Sequence, residues 1–332
     1  MTVQIAVALD DRSFAASHWA GAARLADEAR LDFVTFDDRF GRPGPDAVLV
    51  ASYVAPLTRH IGLIPVATTT HTEPFHLSTA LATLDYVSHG RAGWQVRVSA
   101  DPAEADLLGR RAPLGFDELF AEARDAVEVV RRLWDSWAED AIIKDVPTGR
   151  FIDRDRLHYI DFAGAYFAVK GPSIVPRPPQ GQPVIAALTH EARVWENLDA
   201  DVYFVTPSDV DSAAKIVRQL PAGKKVFADL VAFLDPDQET AIRRRGSVTS
   251  DAAVFAGTPA QLADLIAGWA PAGIAGVRLR PGTPDDLTAI TRDLVPVLRE
   301  RGLFTPSTAT TLRERLGLPV AVNRYSPESA HA

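Results

Sequence analysis

The sequence predicts an α/β fold, a closed (βα)8 barrel of TIM type with an insertion between its fourth and fifth strands. Three observations point there. Eight short apolar runs recur without the strict alternation of a half-solvated strand, as expected of parallel strands covered on both faces. The stretches between them carry helical spacing and helix caps. The chain has 332 residues, 47% of them hydrophobic, and a barrel of this kind needs roughly 250 before insertions.

In order, the predicted strands are VQIAVAL (3–9), DFVTF (32–36), IGLIPVA (61–67), AGWQVRV (92–98), PVIAAL (183–188), DVYFVT (201–206), KVFADLVAF (225–233) and GVRLR (276–280). Thr258-Pro259-Ala260-Gln261 reads as a capping box with proline in the first turn, ahead of Leu262, Leu265, Ile266 and Trp269 on one face. Thr283-Pro284-Asp285-Asp286 repeats the arrangement. It opens a helix with the stripe Leu287, Ile290, Leu294, Val297 and Leu298, closing at Gly302. Both threonines are read as caps. Residues 138–182 exceed an ordinary connection and are assigned to an insertion. Within it HYIDFAGAYFAV is expected to turn as a hairpin near Ala163-Gly164, PSIVPRPPQGQP to run extended, and RFIDRDR to form a solvated face. Residues 305–332 are expected to wrap the barrel or a neighbouring protomer as a C-terminal tail, so that 1–332 forms a single barrel domain.

Composition narrows the function. A formal charge of −8 without a cluster of Lys and Arg argues against nucleic acid. No apolar run is long enough to span a bilayer, and the N-terminus enters a strand without the pattern of a secretion signal. The absence of cysteine excludes disulfides, thiolate metal sites and thiol nucleophiles. A cytoplasmic location and no membrane partner are expected.

In barrels of this type the reacting groups lie at the C-terminal ends of the strands. The second run ends in Asp37-Asp38-Arg39, the third in Thr68-Thr69-Thr70-His71, the fourth in Val98-Ser99 and the fifth in Thr189-His190. By the period-two rule Gln95 and Arg97 share a face of the fourth strand. If that face points inward, Arg97 needs a counter-charge, and Asp38 is the expected one. Two readings of Arg97 stay open, a structural pair closing the barrel mouth and a clamp for an anionic substrate group. His71 is a candidate general acid or base beside the reading of a solvated loop histidine. No HxxxH, GxSxG or helix-opening GxGxxG occurs, which disfavours metal, serine-hydrolase and Rossmann-type dinucleotide sites.

Several segments resemble the luciferase-like flavin monooxygenases, in particular those related to nitrilotriacetate and dibenzothiophene-sulfone monooxygenases. They are THTEPFHLSTALATLDYVSHGRAGW (70–94), VEVVRRLWDSWAEDA (127–141), FIDRDRLHYIDFAGAYFAVKGPSIVPRPPQGQPVI (151–185), GTPAQLADLIAGW (257–269) and TTLRERLGLP (310–319). Members of that subgroup are usually longer than this chain. The resemblance implies a homodimer or homotetramer that acts on a small organic substrate with molecular oxygen, using reduced FMN supplied by a separate flavin reductase. Asp38 matches the family's aspartate at the end of the second strand, Thr69 and Thr70 its threonines beside the flavin ring, and Ser99 the serine closing its fourth-strand motif.

Other positions depart from the family. Its Trp-Asn is Trp94-Gln95 here, which keeps a flavin-facing amide; Arg97 replaces an apolar residue and Val98 a threonine. An Arg-Tyr pair that helps hold the flavin phosphate aligns with Leu119-Phe120. The glycine-containing phosphate loop after the fifth strand becomes Leu188-Thr189-His190-Glu191-Ala192-Arg193, in which Thr189, His190 and Arg193 are the groups left to meet a phosphate. Three functions are carried forward: a reduced-FMN monooxygenase, a deazaflavin-dependent hydride-transfer enzyme, and a flavin-free barrel acting as a binding or accessory protein.

Overall fold

All eight predicted runs form strands: β1 (Gln4–Leu9), β2 (Phe33–Phe36), β3 (Gly62–Thr68), β4 (Gly93–Arg97), β5 (Val184–Leu188), β6 (Val202–Val205), β7 (Lys225–Leu234) and β8 (Gly276–Pro281). The computed structural model describes residues 2–189 and 192–326. Each strand pairs in parallel with the next. β8 returns to β1 through the register Gln4↔Gly276 to Val7↔Leu279, which closes the barrel. Parallel neighbours require long crossovers, and most of these are helical. Outward strand residues pack on helix faces, such as Trp19 and Ala23 of Ala16–Glu28 and Val127, Val130 and Trp134 of Phe116–Asp135.

The inner face divides into two halves. In the lower half Ala6, Phe33, Ile64, Val184, Ala186, Val202, Phe204 and Phe227 form an apolar cluster with Leu312, Leu316 and Leu318 from the end of the chain. Glycine makes room there. A Cβ at Gly62 would lie 2.6 Å from Leu312 Cδ1, and one at Gly276 would collide with the Phe227 ring. The tail therefore enters the barrel from below as a plug rather than only wrapping it. Arg315 Nη1 donates to the Asp32 carbonyl at 2.7 Å and Gln4 Nε2 to the Arg315 carbonyl at 2.9 Å. Beside this plug the Asp32 carboxyl accepts the Ile5 N–H, and burial pushes its pKa up to about 7.

Some features differ from the sequence expectation. β7 is ten residues long, and its last five pair with a further strand, Ala253–Gly257, that no periodicity signalled. That strand is short and half-buried, and it leads directly into the capping box at Thr258, so its pattern is lost in the helix signal. The box is formed: Gln261 N donates to Thr258 Oγ1 at 3.2 Å and Thr258 N to Gln261 Oε1 at 2.9 Å. At the other cap Asp286 accepts from both Thr283 N and Oγ1. The helix it opens is not uniform, widening to a π segment over Ile290–Leu294 before returning to α over Val295–Glu300. Pro296 lacks the N–H that would close an ordinary turn onto residue 292, which accounts for the wide turn.

Between β4 and β5, Ile142–Asp145 pairs antiparallel with Arg150–Ile152, and Phe162–Ala163 with Ala168–Val169. Gly164 N donates to the Phe167 carbonyl at that second turn. Ile160 and Val169 pack on Val129 and Leu133, while Arg154, Asp155 and Arg156 face solvent. No helix among the described residues is long and apolar enough to cross a membrane.

Candidate functional site

Above the apolar layer the inner face turns polar. The period of two that points Phe227 inward does the same for Asp229, and Arg278 stands beside Asp229 in the β7–β8 register. Arg278 Nε donates to Asp229 Oδ1 at 2.7 Å. Arg280, one inward position higher, donates through Nε and Nη2 to Asp229 Oδ2 at 3.0 and 2.6 Å. Burial raises the Asp229 carboxyl, but the two guanidinium groups outweigh it and hold the pKa below the usual carboxylate value. Arg278 also crosses the barrel. Its Nη1 donates to Gln95 Oε1 on β4 at 2.6 Å, and its guanidinium lies 3.8 Å from the centre of the Phe204 ring. Its Nη2 is buried without a partner.

A second ring of charge forms the rim. Arg97 Nη1 donates to Asp37 Oδ1 and to the Asp38 carbonyl, both at 3.3 Å. Arg42 Nη1 donates to Asp37 Oδ2 at 2.7 Å, and its Nη2 pairs with Asp10. The expected partner of Arg97 is thus corrected by one position. Phe33, Thr35 and Asp37 share a face by alternation, whereas the Asp38 carboxylate turns away and accepts the Ala47 N–H at 3.1 Å. Beside the rim, a cavity of about 280 Å³ lies among Leu9, Asp10, Asp11, His18, Leu25 and Thr283.

The ends of β3 and β4 bring most of the other predicted residues together. Thr69 donates through N and Oγ1 to the Arg97 carbonyl, at 2.8 and 3.1 Å. Thr70 Oγ1 accepts the Ser99 N–H at 3.0 Å, and Ser99 Oγ donates to Glu104 Oε2 at 2.5 Å. His71 follows with a φ of +66°, a left-handed conformation that is uncommon outside glycine and often marks a functional site. Its Nδ1 is buried with no partner, while its carbonyl accepts from Arg110 Nη1 at 2.9 Å. Burial and then Arg111 and Arg110 pull its pKa below the usual histidine value, against Glu122 and Glu104. Arg111 itself is held by both oxygens of Glu122. Thr189 is buried at the end of β5. His190 lies outside the described residues, as does the side chain of Arg193.

The polar atoms left over test whether a flavin suits this site. An isoalloxazine edge alternates carbonyl acceptors with an N–H donor. At the end of β3 the Thr70 hydroxyl hydrogen has no acceptor among the described residues, so a donor to a ring carbonyl is available. The ring end therefore fits. Leu119 and Phe120, near the start of the helix Phe116–Asp135, are buried and apolar, with Phe120 packed on Phe116 at 4.5 Å between ring centres, so a phosphate would depend on the segment after β5. No group of three or more His, Cys, Asp or Glu suited to a metal occurs among the described residues.

Sequence reasoning missed Asp229, Arg278 and Arg280. The signal was available: ADL and VRLR place charges at alternate positions inside apolar strands, as at Arg97.

The sequence and the fold both have known counterparts. The profile of the family described as luciferase-like monooxygenase matches residues 2–245. The chain is 29% identical to N-acetyl-S-(2-succino)cysteine monooxygenase of Bacillus subtilis (strain 168), over 91% of this chain and 87% of that protein. It is 32% identical to the nitrilotriacetate monooxygenase component of Aminobacter aminovorans, over 64% of this chain and 50% of that one. One of two matching polypeptides of the pristinamycin IIA synthase of Streptomyces pristinaespiralis is 32% identical over 100% of this chain and 99% of its own. Among solved structures, long-chain alkane monooxygenase superposes with a TM-score of 0.86 over 96% of both chains at 21% identity, a likeness of fold.

Proposed function

The chain belongs to the luciferase-like monooxygenase family, and from that premise we propose that it is a flavin-dependent monooxygenase of a small organic substrate, using molecular oxygen and reduced FMN from a separate reductase. The observation that carries this reading is the end of β3, where the buried Thr70 and the buried Nδ1 of His71, itself half-buried and left-handed in backbone, retain hydrogen-bonding capacity. When bound, the flavin supplies the electrons that activate oxygen. Thr69, Thr70 and Ser99 would hold its ring, and Thr189, His190 and Arg193 are the groups that would serve its phosphate. Gln95, whose carbonyl oxygen is already taken by Arg278, offers only its N–H groups to a ligand. His71 is neutral at neutral pH because burial and two arginines lower its pKa, so its free Nδ1 accepts a proton from the reacting substrate and returns it. Arg97 and Arg280 at the mouth favour a negatively charged substrate.

Anaerobic titration with reduced FMN tests the reading, with binding at micromolar concentration expected. Absence of binding overturns it. A second reading has a specific observation in its favour. The pristinamycin IIA synthase polypeptide that matches this chain over its full length has a companion polypeptide in the same synthase, which matches over 61% of this chain. The helix start at Leu119-Phe120, moreover, offers no polar side chain to a phosphate. On that reading the chain is the flavin-free partner of a second luciferase-like polypeptide, and the same titration shows no binding. We also propose a homodimer. Phe14, Leu49 and Tyr53 expose apolar surface, the last two one helical turn apart on Ala47–Val54. Light scattering measures its mass.

A further inference from the structure

The contacts in the upper lumen leave donors without matching acceptors. Gln95 Oε1 is occupied by Arg278, and among the described residues no acceptor meets Gln95 Nε2. Among the described residues Arg97 uses only Nη1, in two contacts of 3.3 Å, which leaves its Nε and Nη2 available there on a side chain 31% exposed. Arg280 gives Nε and Nη2 to Asp229 and keeps Nη1. Beneath them Arg278 is 2% exposed and carries an unpartnered Nη2. Arg278 and Arg280 share a single carboxylate, that of Asp229, while a separate rim cluster sets Arg42 and Arg97 against Asp10 and Asp37. One positive charge is in excess, in a part of the barrel where burial makes an uncompensated charge costly.

We propose that the upper lumen is an oxyanion subsite for a carboxylate of the substrate, in which Gln95 Nε2, Arg97 and Arg280 contact the anion and Arg278 acts as a positioning residue. A glutamine amide is ambivalent, since it can turn either its oxygen or its nitrogen toward a ligand. By taking the oxygen, Arg278 removes that choice and presents only N–H groups to the mouth. Asp229 and the Phe204 ring fix Arg278 from two sides, so the orientation of Gln95 is set before a ligand arrives. The substrate carboxylate neutralises the excess charge and accepts the unused hydrogens. This assignment rests on the monooxygenase reading only for calling the anion a substrate; the subsite itself is a property of the four side chains.

Succinate, with its uncharged diamide as control, is the probe, measured by calorimetry on the purified full chain with and without reduced FMN. Wild type is expected to bind succinate and not the diamide. Gln95→Glu keeps shape and a partner for Arg278 but replaces the donors by a negative oxygen, and is expected to weaken succinate by about 10-fold to 100-fold, the value of a charge-assisted hydrogen bond. Arg97→Gln, at the rim and outside the packed layer, is expected to weaken it in the same direction if the first variant fails to fold. For the positioning role, Arg278→Lys is expected to lose succinate affinity while reduced FMN still binds, and to raise KM more than it lowers kcat. Equal affinity of wild type and both contact variants, or no succinate binding to wild type, overturns the subsite. Failure to bind FMN with succinate binding intact overturns the monooxygenase reading instead.

Discussion

The lower and upper halves of one barrel lumen are built from the same eight strands by opposite means. Below, Phe33, Ile64, Phe204 and Phe227 fill the space with one another and with the leucines of the tail. Above, Gln95, Asp229, Arg278 and Arg280 fill it with hydrogen bonds and charge. The boundary is the Phe204 ring, on which the Arg278 guanidinium rests. Apolar packing is forgiving of exchange if volume is kept, whereas a buried ionic network fails when one member is removed. The lower half therefore tolerates exchanges that keep its volume, whereas the upper half depends on every charged member and also carries the donors proposed for recognition.

Four experiments break or sharpen that division, beginning with the largest effect. His71→Gln is expected to lower kcat by about 100-fold to 10,000-fold with the unfolding midpoint unchanged. In the parent the acid limb of the rate profile falls below the ordinary histidine range, because the lowered pKa keeps His71 unprotonated as pH drops; steady-state rates against pH check both statements. Asp229→Ala leaves the buried Arg278 and the half-buried Arg280 without their counter-charge, and denaturant unfolding is expected to show a loss of about 3–5 kcal/mol. A near-neutral result would mean that the upper network is not coupled to the fold. Leu316→Ala opens a cavity in the plug and is expected to cost about 2–5 kcal/mol while FMN affinity stays within a few-fold. The smallest effect concerns Asp32. Its carboxyl has a folded pKa of about 7 against an ordinary 3.8, so it favours the folded state fully at pH below 3.8 and loses that contribution as pH rises through 7. Asp32→Asn is expected to flatten the decline of stability between those values, read from urea midpoints at several pH values.

The strands were legible because parallel, doubly covered strands leave short apolar runs, and the caps at Thr258 and Thr283 because their chemistry is local. What escaped was whatever depended on partners remote in sequence. Arg97 was seen to need a counter-charge, but whether Asp37 or Asp38 supplies it depends on which of the two continues the inward alternation of β2. Arg278 and Gln95 are 183 residues apart, and no local pattern joins them. The strand Ala253–Gly257 exists because β7 outgrows the barrel and its upper half takes a second neighbour, a geometric fact rather than a compositional one.

The plug carries a consequence for the order in which this molecule can be assembled. The hydrogen bond from Arg315 to Asp32 joins residues 283 positions apart. During synthesis all eight strands leave the ribosome before Leu312, Leu316 and Leu318 do. The barrel must therefore wait with its base open, its phenylalanines covered on one side only, until the closing segment arrives. Contacts of such sequence separation form slowly, and an intermediate of this kind exposes apolar surface to other chains. Removal of residues beyond 311 should leave the nascent protein in that open form, prone to aggregate at a concentration where the intact chain refolds.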